Sequence, residues 1–242
     1  MTAAARLIEA SLETNRVMRL HPTTVTVRTG AVTAIVGANG SGKSSLLGLL
    51  AGDLTASHGR VLLGDQDVAR MRPRERARAR ALLSQDRHVS FGFTAEEVIS
   101  WGRSAWRGSP ASADDRRIVD EVIERQGLEE LRRRPVTMLS GGERTRVHLA
   151  RVLAQQSSLL LLDEADADLD LVGRHVLDTA VQSHVSAGGS AVVISHDISR
   201  ARRTSDDAIV MSHGRVLAHG PASQVLTNEQ LSTAFGIPVD LA

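Results

Sequence analysis

The sequence predicts an α/β fold in which a mostly parallel sheet is covered by helices on both faces. Three observations carry this prediction. Short apolar runs alternate with segments of helical pattern along much of the chain. A glycine-rich loop at residues 37–44 lies between one such run and a helical segment. Strand-like runs become sparse between residues 87 and 140, which indicates a helical insertion in the core.

Strands are predicted from short apolar or alternating runs that end at turn residues. Val25 and Val27 alternate with threonine and arginine, and much of residues 6–36 is expected to form strands. Residues 31–36 are typical of a buried parallel strand. Further strands are expected at residues 61–63, 159–162, 191–195, 208–211 and 216–218.

Helices are predicted where capping residues precede a helical period. Thr94 and Glu97 match a capping box, and Pro73 suits the first turn of a helix expected to continue to Leu83. The arginines of that helix are interpreted as a solvated face rather than a nucleic-acid patch. Further helices are expected at residues 45–50, 114–126, 170–185 and 198–204 and after Gly142, with a loop at residues 104–113.

Composition restricts the classes of function. The 242 residues fit one large domain, and 42% apolar residues are sufficient for a core. Cysteine is absent, which excludes disulfides and thiolate metal sites. A formal net charge of +1 gives no reason to expect a nucleic-acid partner. No apolar stretch reaches the ~20 residues of a membrane span, and no signal-peptide pattern is present, so work at a membrane would require docking to another protein.

The glycine-rich loop matches the phosphate-binding pattern G-x-x-x-x-G-K-[ST]. Its glycines let successive N–H groups point at phosphate oxygens, and the following helix directs its positive end at the same charges. Lys43 is expected to contact the β- and γ-phosphates, and the Ser44 hydroxyl to ligate Mg²⁺. A strand before the loop and a helix after it disfavour a simple turn. The candidate nucleotide-binding residues are Asn39, Gly40, Ser41, Gly42, Lys43, Ser44 and Ser45.

Two carboxylates follow the apolar run at residues 159–162. They would stand at the carboxyl end of a buried parallel strand, where ligands bind in such sheets. Asp163 is predicted to hold Mg²⁺, and Glu164 to polarise an attacking water as a general base. Taken by themselves, the two carboxylates could simply be acidic residues at the exposed end of a strand. The presence of the phosphate loop disfavours that alternative.

A third motif reads Leu139-Ser140-Gly141-Gly142-Glu143 and precedes a long helical run. Adjacent glycines at a helix start leave free N–H groups at its positive end. Ser140, Gly141 and Gly142 are therefore a candidate second anion site without a lysine of its own. Ser140 and Glu143 also match a capping box, which is compatible with anion binding because the cap would shape the loop.

The three motifs, in this order and at this spacing, resemble the nucleotide-binding subunit of an ATP-binding cassette transporter over essentially the whole chain. The resemblance implies a P-loop NTPase core with a mostly parallel sheet, an antiparallel β subdomain and an inserted α-helical subdomain. One domain is expected over residues 1–242, with the core and β subdomain at 1–86 and 141–242 and the helical subdomain at 87–140. The implied cofactors are ATP and Mg²⁺.

The resemblance also implies roles for single residues. Gln85 matches the glutamine that contacts Mg²⁺ or the attacking water and senses the membrane partner. His196 matches the switch histidine that contacts the γ-phosphate, and Asp170 matches the loop that links two active sites across a dimer. The family has an adenine-stacking aromatic near residues 14–16, where Arg16 offers its planar guanidinium instead.

The chain departs from the family after the acidic pair, where Ala165-Asp166 replaces the usual Pro-Thr. Asp166 is expected to add negative charge near the site. That charge would alter the affinity for Mg²⁺ or the coupling between the two sites.

The family's mechanism implies a partner for each copy. Two copies bind head to tail, and each ATP lies between Lys43 of one copy and Ser140 and Gly142 of the other. Closure of the dimer would be passed through the helical insertion to transmembrane permease subunits at the cytoplasmic face of the cell membrane. A substrate-binding protein is expected as a further member of the complex.

The transported compound is indicated less directly. Residues 91–104 resemble the corresponding segment of ATPase subunits from importers of iron–siderophores, haem and cobalamin. Residues 147–155 favour a resemblance to the haem importers among these. The expected function is the ATP-hydrolysing motor of an iron–siderophore or haem importer. A cobalamin importer and a soluble cassette protein outside transport remain alternatives. A P-loop kinase or GTPase would leave the loop at Ser140 unexplained.

Overall fold

The computed structural model describes residues 3–85 and 91–240. The strands are β1 (Ala3–Thr14), β2 (Val17–Arg28), β3 (Val32–Gly37), β4 (His58–Leu63), β5 (Gln66–Asp67), β6 (Arg80–Leu83), β7 (Leu159–Asp163), β8 (Ser190–Ile194), β9 (Asp207–Ser212) and β10 (Arg215–Pro221). The α-helices are α1 (Lys43–Ala51), α2 (Pro73–Ala79), α3 (Ala95–Ser100), α4 (Asp115–Arg125), α5 (Gly141–Ala154), α6 (Leu171–Ser186), α7 (Ile198–Thr204), α8 (Ala222–Val225) and α9 (Asn228–Phe235).

Two sheets organise the described residues. The larger sheet has the order β10-β9-β3-β8-β7-β6, with parallel pairing from β9 to β6 and antiparallel pairing of β10 with β9. The smaller sheet, β2-β1-β4-β5, is antiparallel. The predicted α/β fold with a mostly parallel sheet and an antiparallel β subdomain is thus confirmed. Because β3, β7 and β8 run in parallel, their carboxyl ends meet at one edge of the sheet.

Aliphatic side chains form the core on both faces of the larger sheet. On one face, Leu46, Leu47 and Leu50 of α1 pack between Ile35 and the smaller sheet. On the other face, the α5 and α6 side chains cover β7, with Leu177 1% exposed. All six residues of β3 are buried, which explains its nearly continuous apolar sequence.

The region after Pro73 differs from the sequence-based prediction. The predicted helix to Leu83 is wrong beyond Ala79, because residues 80–83 form β6 and pair in parallel with residues 159–162. Ala81 and Leu83 are completely buried in this strand. Pairing with β7 satisfies the backbone groups of the segment, and this long-range contact overrides its helical pattern.

The arginines of this region are also more than a solvated face. Arg76 Nη1 donates to Gly52 O at 2.7 Å, and Arg78 Nε donates to Ala105 O at 3.0 Å. Arg80 Nε donates to Ala51 O at 2.6 Å. These side chains tie α2 and β6 to the end of α1 and to the insertion.

Residues 91–140 contain α3, α4 and short 3₁₀ helices, including Trp101–Trp106 and Pro110–Asp114 where a loop was expected. Thr94 caps α3 as predicted. A separate apolar cluster, with Ile99 and Leu128 fully buried, joins this segment to α5. The expected boundary at residues 86–87 lies outside the described residues. Among residues 3–85 and 91–240, no helix has the length and apolar character that a membrane span requires.

Candidate active site

The phosphate loop connects the end of β3 to the start of α1, as its motif predicts. Gly42 has φ +101°, and a Cβ atom there would lie 3.1 Å from Arg19 O and 3.2 Å from Gly214 Cα. Glycine is therefore required both by the backbone conformation and by the close approach of two neighbouring segments. The start of α1 faces the loop with its first N–H groups, which is the arrangement that binds phosphate in such loops.

Lys43 is the first residue of α1, and its side chain reaches back to the start of the loop and is only 5% exposed. Its ammonium donates to Gly37 O at 2.9 Å and to Ala38 O at 3.0 Å. Burial lowers the pKa of Lys43, while the charges of Glu164 and Asp163 act in the opposite direction. The two carboxylates are thus close enough to the phosphate loop to influence its single ammonium group.

The three predicted catalytic residues are in direct contact. Glu164 Oε1 lies 2.6 Å from His196 Nε2, and Gln85 Nε2 donates to Glu164 Oε2 at 3.2 Å. This contact follows from the sheet, because Asp163 at the end of β7 is in register with Ile194 at the end of β8. Glu164 and His196 therefore leave adjacent strands at nearly the same level.

An open pocket of about 580 Å³ occupies this edge of the sheet. Its lining includes the sequence-predicted residues Asn39, Gly40, Gly42, Lys43, Ser44, Ser45, Gln85, Glu164 and His196. The lining also includes Met18, Arg19, His213 and Gly214, which the sequence did not indicate as site residues.

The unpredicted lining residues come from the start of β2 and from the turn between β9 and β10. Gly214 N donates to Ser41 O at 2.9 Å, so the β9–β10 turn packs against the loop. This packing joins residues that are far apart in the sequence, so local sequence patterns do not indicate it. Arg16 lies in the turn between β1 and β2 with φ +62° and is not among the lining residues. Its contact with adenine stays a prediction.

The loop at Ser140 starts α5 away from this pocket. Ser140 Oγ accepts from Glu143 N at 3.3 Å, and Glu143 Oε2 accepts from Ser140 N at 2.8 Å, which confirms the capping box. Ser140 and Gly141 are exposed, and among the described residues they do not line the pocket. The loop therefore presents its polar groups to solvent rather than to the chain's own phosphate loop.

The segment before α6 lies next to the Ser140 loop. A Cβ atom on Gly142 would meet Asp168 O at 3.4 Å, so the two segments are in van der Waals contact. Asp170 Oδ1 accepts from Gly173 N at 2.7 Å and caps α6. Large apolar side chains are nevertheless exposed here, with Leu171 at 84% and Val172 at 70%.

Asp166 does not add an uncompensated charge to the site. Its side chain is buried, and Arg200 Nη1 donates to Asp166 Oδ2 at 2.5 Å. Arg200 also pairs with Asp178 of α6. Burial alone would lower the pKa of Arg200, but hydrogen bonds and charges from Asp178 and Asp166 outweigh burial and raise it.

The oxygen donors expected for Mg²⁺ fit that ion chemically. Ser44 offers a hydroxyl, Gln85 an amide oxygen and Asp163 a carboxylate, all hard ligands that suit Mg²⁺. Within residues 3–85 and 91–240, no group of three or more histidine, aspartate and glutamate residues is arranged to hold a metal ion. The ion would therefore need phosphate oxygens and water to complete its coordination.

Comparison with known proteins decides the family. A sequence model described as ABC transporter matches residues 20–167, more than half of the chain. The chain belongs to the ABC transporter family. This ABC protein is 42% identical to the hemin import ATP-binding protein HmuV of Rhodococcus jostii, over 92% of its own length and 76% of that protein. Proteins of the same name from Streptomyces coelicolor and Bradyrhizobium diazoefficiens are 41% and 38% identical, over 90% and 98% of this chain and 78% and 90% of theirs.

Solved structures share the fold of this ABC protein. The cbiO1 protein of Clostridium perfringens, part of the ABC transporter complex cbiONQ, superposes with a TM-score of 0.82 at 26% identity and covers 96% of this chain and 94% of its own. The ATP-binding cassette MJ0796, solved as a dimer with ADP and phosphate, gives a TM-score of 0.81 at 21% identity, over 90% of this chain and 98% of its own. As a member of the ABC transporter family, the protein is an ATPase that binds ATP.

Proposed function

We propose that this ABC ATPase is the motor subunit of a haem importer. The observation that carries the proposal is its 38–42% identity to three hemin import ATP-binding proteins over at least 90% of the chain. The match is not confined to the nucleotide motifs, since it includes the insertion between β6 and α5. This breadth favours a shared task over a shared nucleotide site alone.

Hydrolysis is assigned to the contacts at the carboxyl ends of β7 and β8. Glu164 would accept a proton from water as the water oxygen attacks the γ-phosphorus and the bond to ADP breaks. His196, 2.6 Å from Glu164, and Gln85, 3.2 Å from it, would hold the carboxylate in place. Lys43 would bind the β- and γ-phosphates. Mg²⁺, held by Ser44, Asp163 and Gln85, would neutralise charge on the phosphates.

A second copy of the chain is the proposed partner for the Ser140 loop. The loop is exposed and starts a 14-residue helix, and the N–H groups of Gly141 and Gly142 are not part of the capping box, so they would be available to the phosphates of an ATP held by another copy. Exposed apolar side chains surround it, because Met138 is 71% exposed and Leu171 84%. A head-to-tail dimer would cover these side chains and complete both sites, with Asp170 at the contact between them.

A permease is the proposed partner for the aromatic side chains of the insertion. Phe91 is 72% exposed, Phe93 37% and Trp101 40%. The rings of Phe93 and Trp101 meet edge to face at 5.0 Å. Exposed aromatic clusters are typical of protein interfaces. We assign residues 87–140 to a helical subdomain that docks on permease subunits at the cytoplasmic face of the membrane, with a substrate-binding protein delivering haem to the same complex.

Reconstitution tests this assignment. The full chain, assembled with the permease that co-purifies with it from membranes, is placed in proteoliposomes with haem, cobalamin or a ferric siderophore and the substrate-binding protein. We expect haem alone to stimulate ATP hydrolysis and to accumulate. Stimulation by cobalamin or by the siderophore instead of haem would contradict the substrate, and absence of any membrane partner would favour a soluble cassette protein.

A further inference from the structure

A buried charge network joins the segment after β7 to the helix after β8. Arg200 Nη1 donates to Asp166 Oδ2 at 2.5 Å, and Arg200 Nε lies 3.2 and 3.3 Å from the two carboxylate oxygens of Asp178. Arg200 is 6% exposed and Asp166 9%. Removal of one partner from such a buried pair leaves an uncompensated charge, so the pair constrains the segments that carry it.

The Asp166–Arg200 ion pair lies close in the sequence to Glu164 and His196, whose side chains are in contact inside the pocket. Asp166 is two residues after Glu164, and Arg200 is four residues after His196, in the first turn of α7. Neither Asp166 nor Arg200 lines the pocket. The segments that carry Glu164 and His196 are therefore connected twice. Glu164 contacts His196 inside the pocket, and Asp166 pairs with Arg200 outside the space that ATP would fill.

The Glu164 segment needs such a restraint. Glu164 has φ +48°, a left-handed conformation that costs a residue other than glycine on the order of 1 kcal/mol and persists only where its surroundings impose it. The turn after it is closed by longer backbone hydrogen bonds, with Ala167 N 3.3 Å from Glu164 O and Leu169 N 3.2 Å from Asp166 O. The ion pair of Asp166 is shorter, charged and buried, so it is the stronger constraint.

Arg200 is itself held firmly enough to act as an anchor. Its backbone N donates to Asp197 Oδ1 at 2.8 Å at the start of α7. Its guanidinium is held on the other side by Asp178 of α6. Arg200 therefore links three elements: the segment after β7, α6 and α7.

We propose that Arg200 is a positioning residue for ATP hydrolysis, which acts through Asp166 to hold the Glu164 carboxylate against His196. The proposal rests on the general-base role proposed above for Glu164. It also accounts for the Ala165-Asp166 departure from the usual Pro-Thr. A proline at that place fixes its own φ, whereas alanine does not, and the Asp166–Arg200 pair supplies a restraint of a different kind.

Two matched variants test the proposal in the full chain. Asp166→Asn and Asp178→Asn each remove one charged acceptor from Arg200, but only Asp166 lies on the Glu164 segment. We expect Asp166→Asn to lower kcat roughly 10- to 100-fold, the effect of displacing a reacting group by about 1 Å, with the KM for ATP unchanged. Asp178→Asn loosens one hold on Arg200 but keeps the link between Arg200 and Asp166, so it should lower kcat less than Asp166→Asn. Thermal unfolding of both variants verifies that each one folds.

Coupling to the base gives a second measurement. In a Glu164→Gln background, Asp166→Asn should cause no further loss of residual hydrolysis, because the group it positions is already absent. Equal kcat for the two aspartate variants, or a further additive loss in the double variant, would overturn the positioning role alone. Full hydrolysis by Glu164→Gln would overturn the base assignment and this proposal with it. If Asp166→Asn fails to fold, Arg200→Lys keeps the charge without the two-ended fork and provides the same kcat test.

Discussion

The two glycine-rich helix starts of this ABC ATPase, the phosphate loop before α1 and the Ser140 loop before α5, differ in their surroundings. The phosphate loop encloses a lysine that is 5% exposed and lies in a pocket shared with Glu164 and His196. The Ser140 loop also has glycines at a helix start, yet it is exposed, and its helix follows an extended Ser140 with a capping box, whereas α1 follows a left-handed Gly42. A cation beside the Ser140 loop is the guanidinium of Arg144, which donates to Leu139 O at 3.2 Å. The two glycine-containing helix starts thus differ in conformation, exposure and cationic group.

The contrast indicates how the chemistry is divided between copies. One chain places Lys43, Glu164 and His196, the residues proposed to bind phosphate, act as base and contact the γ-phosphate, within a single pocket. The same chain exposes the Ser140 loop, proposed as the second anion site, next to the exposed Leu171 and Val172. A substitution in the pocket should therefore impair ATP binding or hydrolysis at the site of that same copy. A substitution in the Ser140 loop should impair only the association of two copies.

The strongest disturbance of the pocket is expected from Glu164→Gln. The amide cannot accept the proton of the attacking water, while its size and its place beside His196 are retained. General-base catalysis contributes roughly 10²- to 10⁴-fold, so kcat should fall by that factor. The variant should also accumulate as an ATP-bound dimer. Phosphate release and the ATP-dependent mass measured by light scattering test both effects, and hydrolysis at the normal rate would show that another group is the base.

Lys43→Ala should weaken ATP binding to the isolated chain. A hydrogen bond to a charged group contributes about 1.5–3 kcal/mol, which corresponds to a loss of affinity of roughly 10- to 100-fold. Lys43 is the single lysine of the sequence, so no other ammonium group can take its place. Isothermal titration with ATP measures the change. Unaltered affinity would mean that the loop amides alone bind the phosphates.

The sequence predicted the pocket better than it predicted the scaffold behind it. Lys43, Glu164 and His196 each belong to a local motif whose chemistry can be recognised within a few residues. The strand at residues 80–83 cannot be recognised in this way, because its identity comes from pairing with residues 159–162. The same holds for Asp166, whose charge looked uncompensated until its pairing with Arg200, 34 residues away, was known.

Ser140→Ala should leave ATP binding to a single chain unchanged and reduce ATP-dependent association of two chains by about tenfold, the effect of losing one hydrogen bond to a charged phosphate. Thr94→Ala is the matched control, because Thr94 closes an equivalent capping box on α3, with Glu97 N 3.3 Å from Thr94 Oγ1. Each substitution removes one cap, a loss of about 1 kcal/mol of stability. Equal association of the two variants would indicate that Ser140 serves only as a cap.

The smallest effect is expected at the edge of the pocket, where the adenine would lie. If Arg16 stacks on the base, Arg16→Ala should weaken ATP binding roughly two- to fivefold, the strength of an exposed cation–π contact. Met18 lines the pocket and Arg16 does not, so Met18→Ala is the informative comparison. The affinity of both variants for ATP, and for a triphosphate that lacks a base, separates the two side chains. If only Met18→Ala weakens the binding of ATP, the adenine contacts Met18 of β2 rather than Arg16. The phosphate loop contributes equally to binding in both variants.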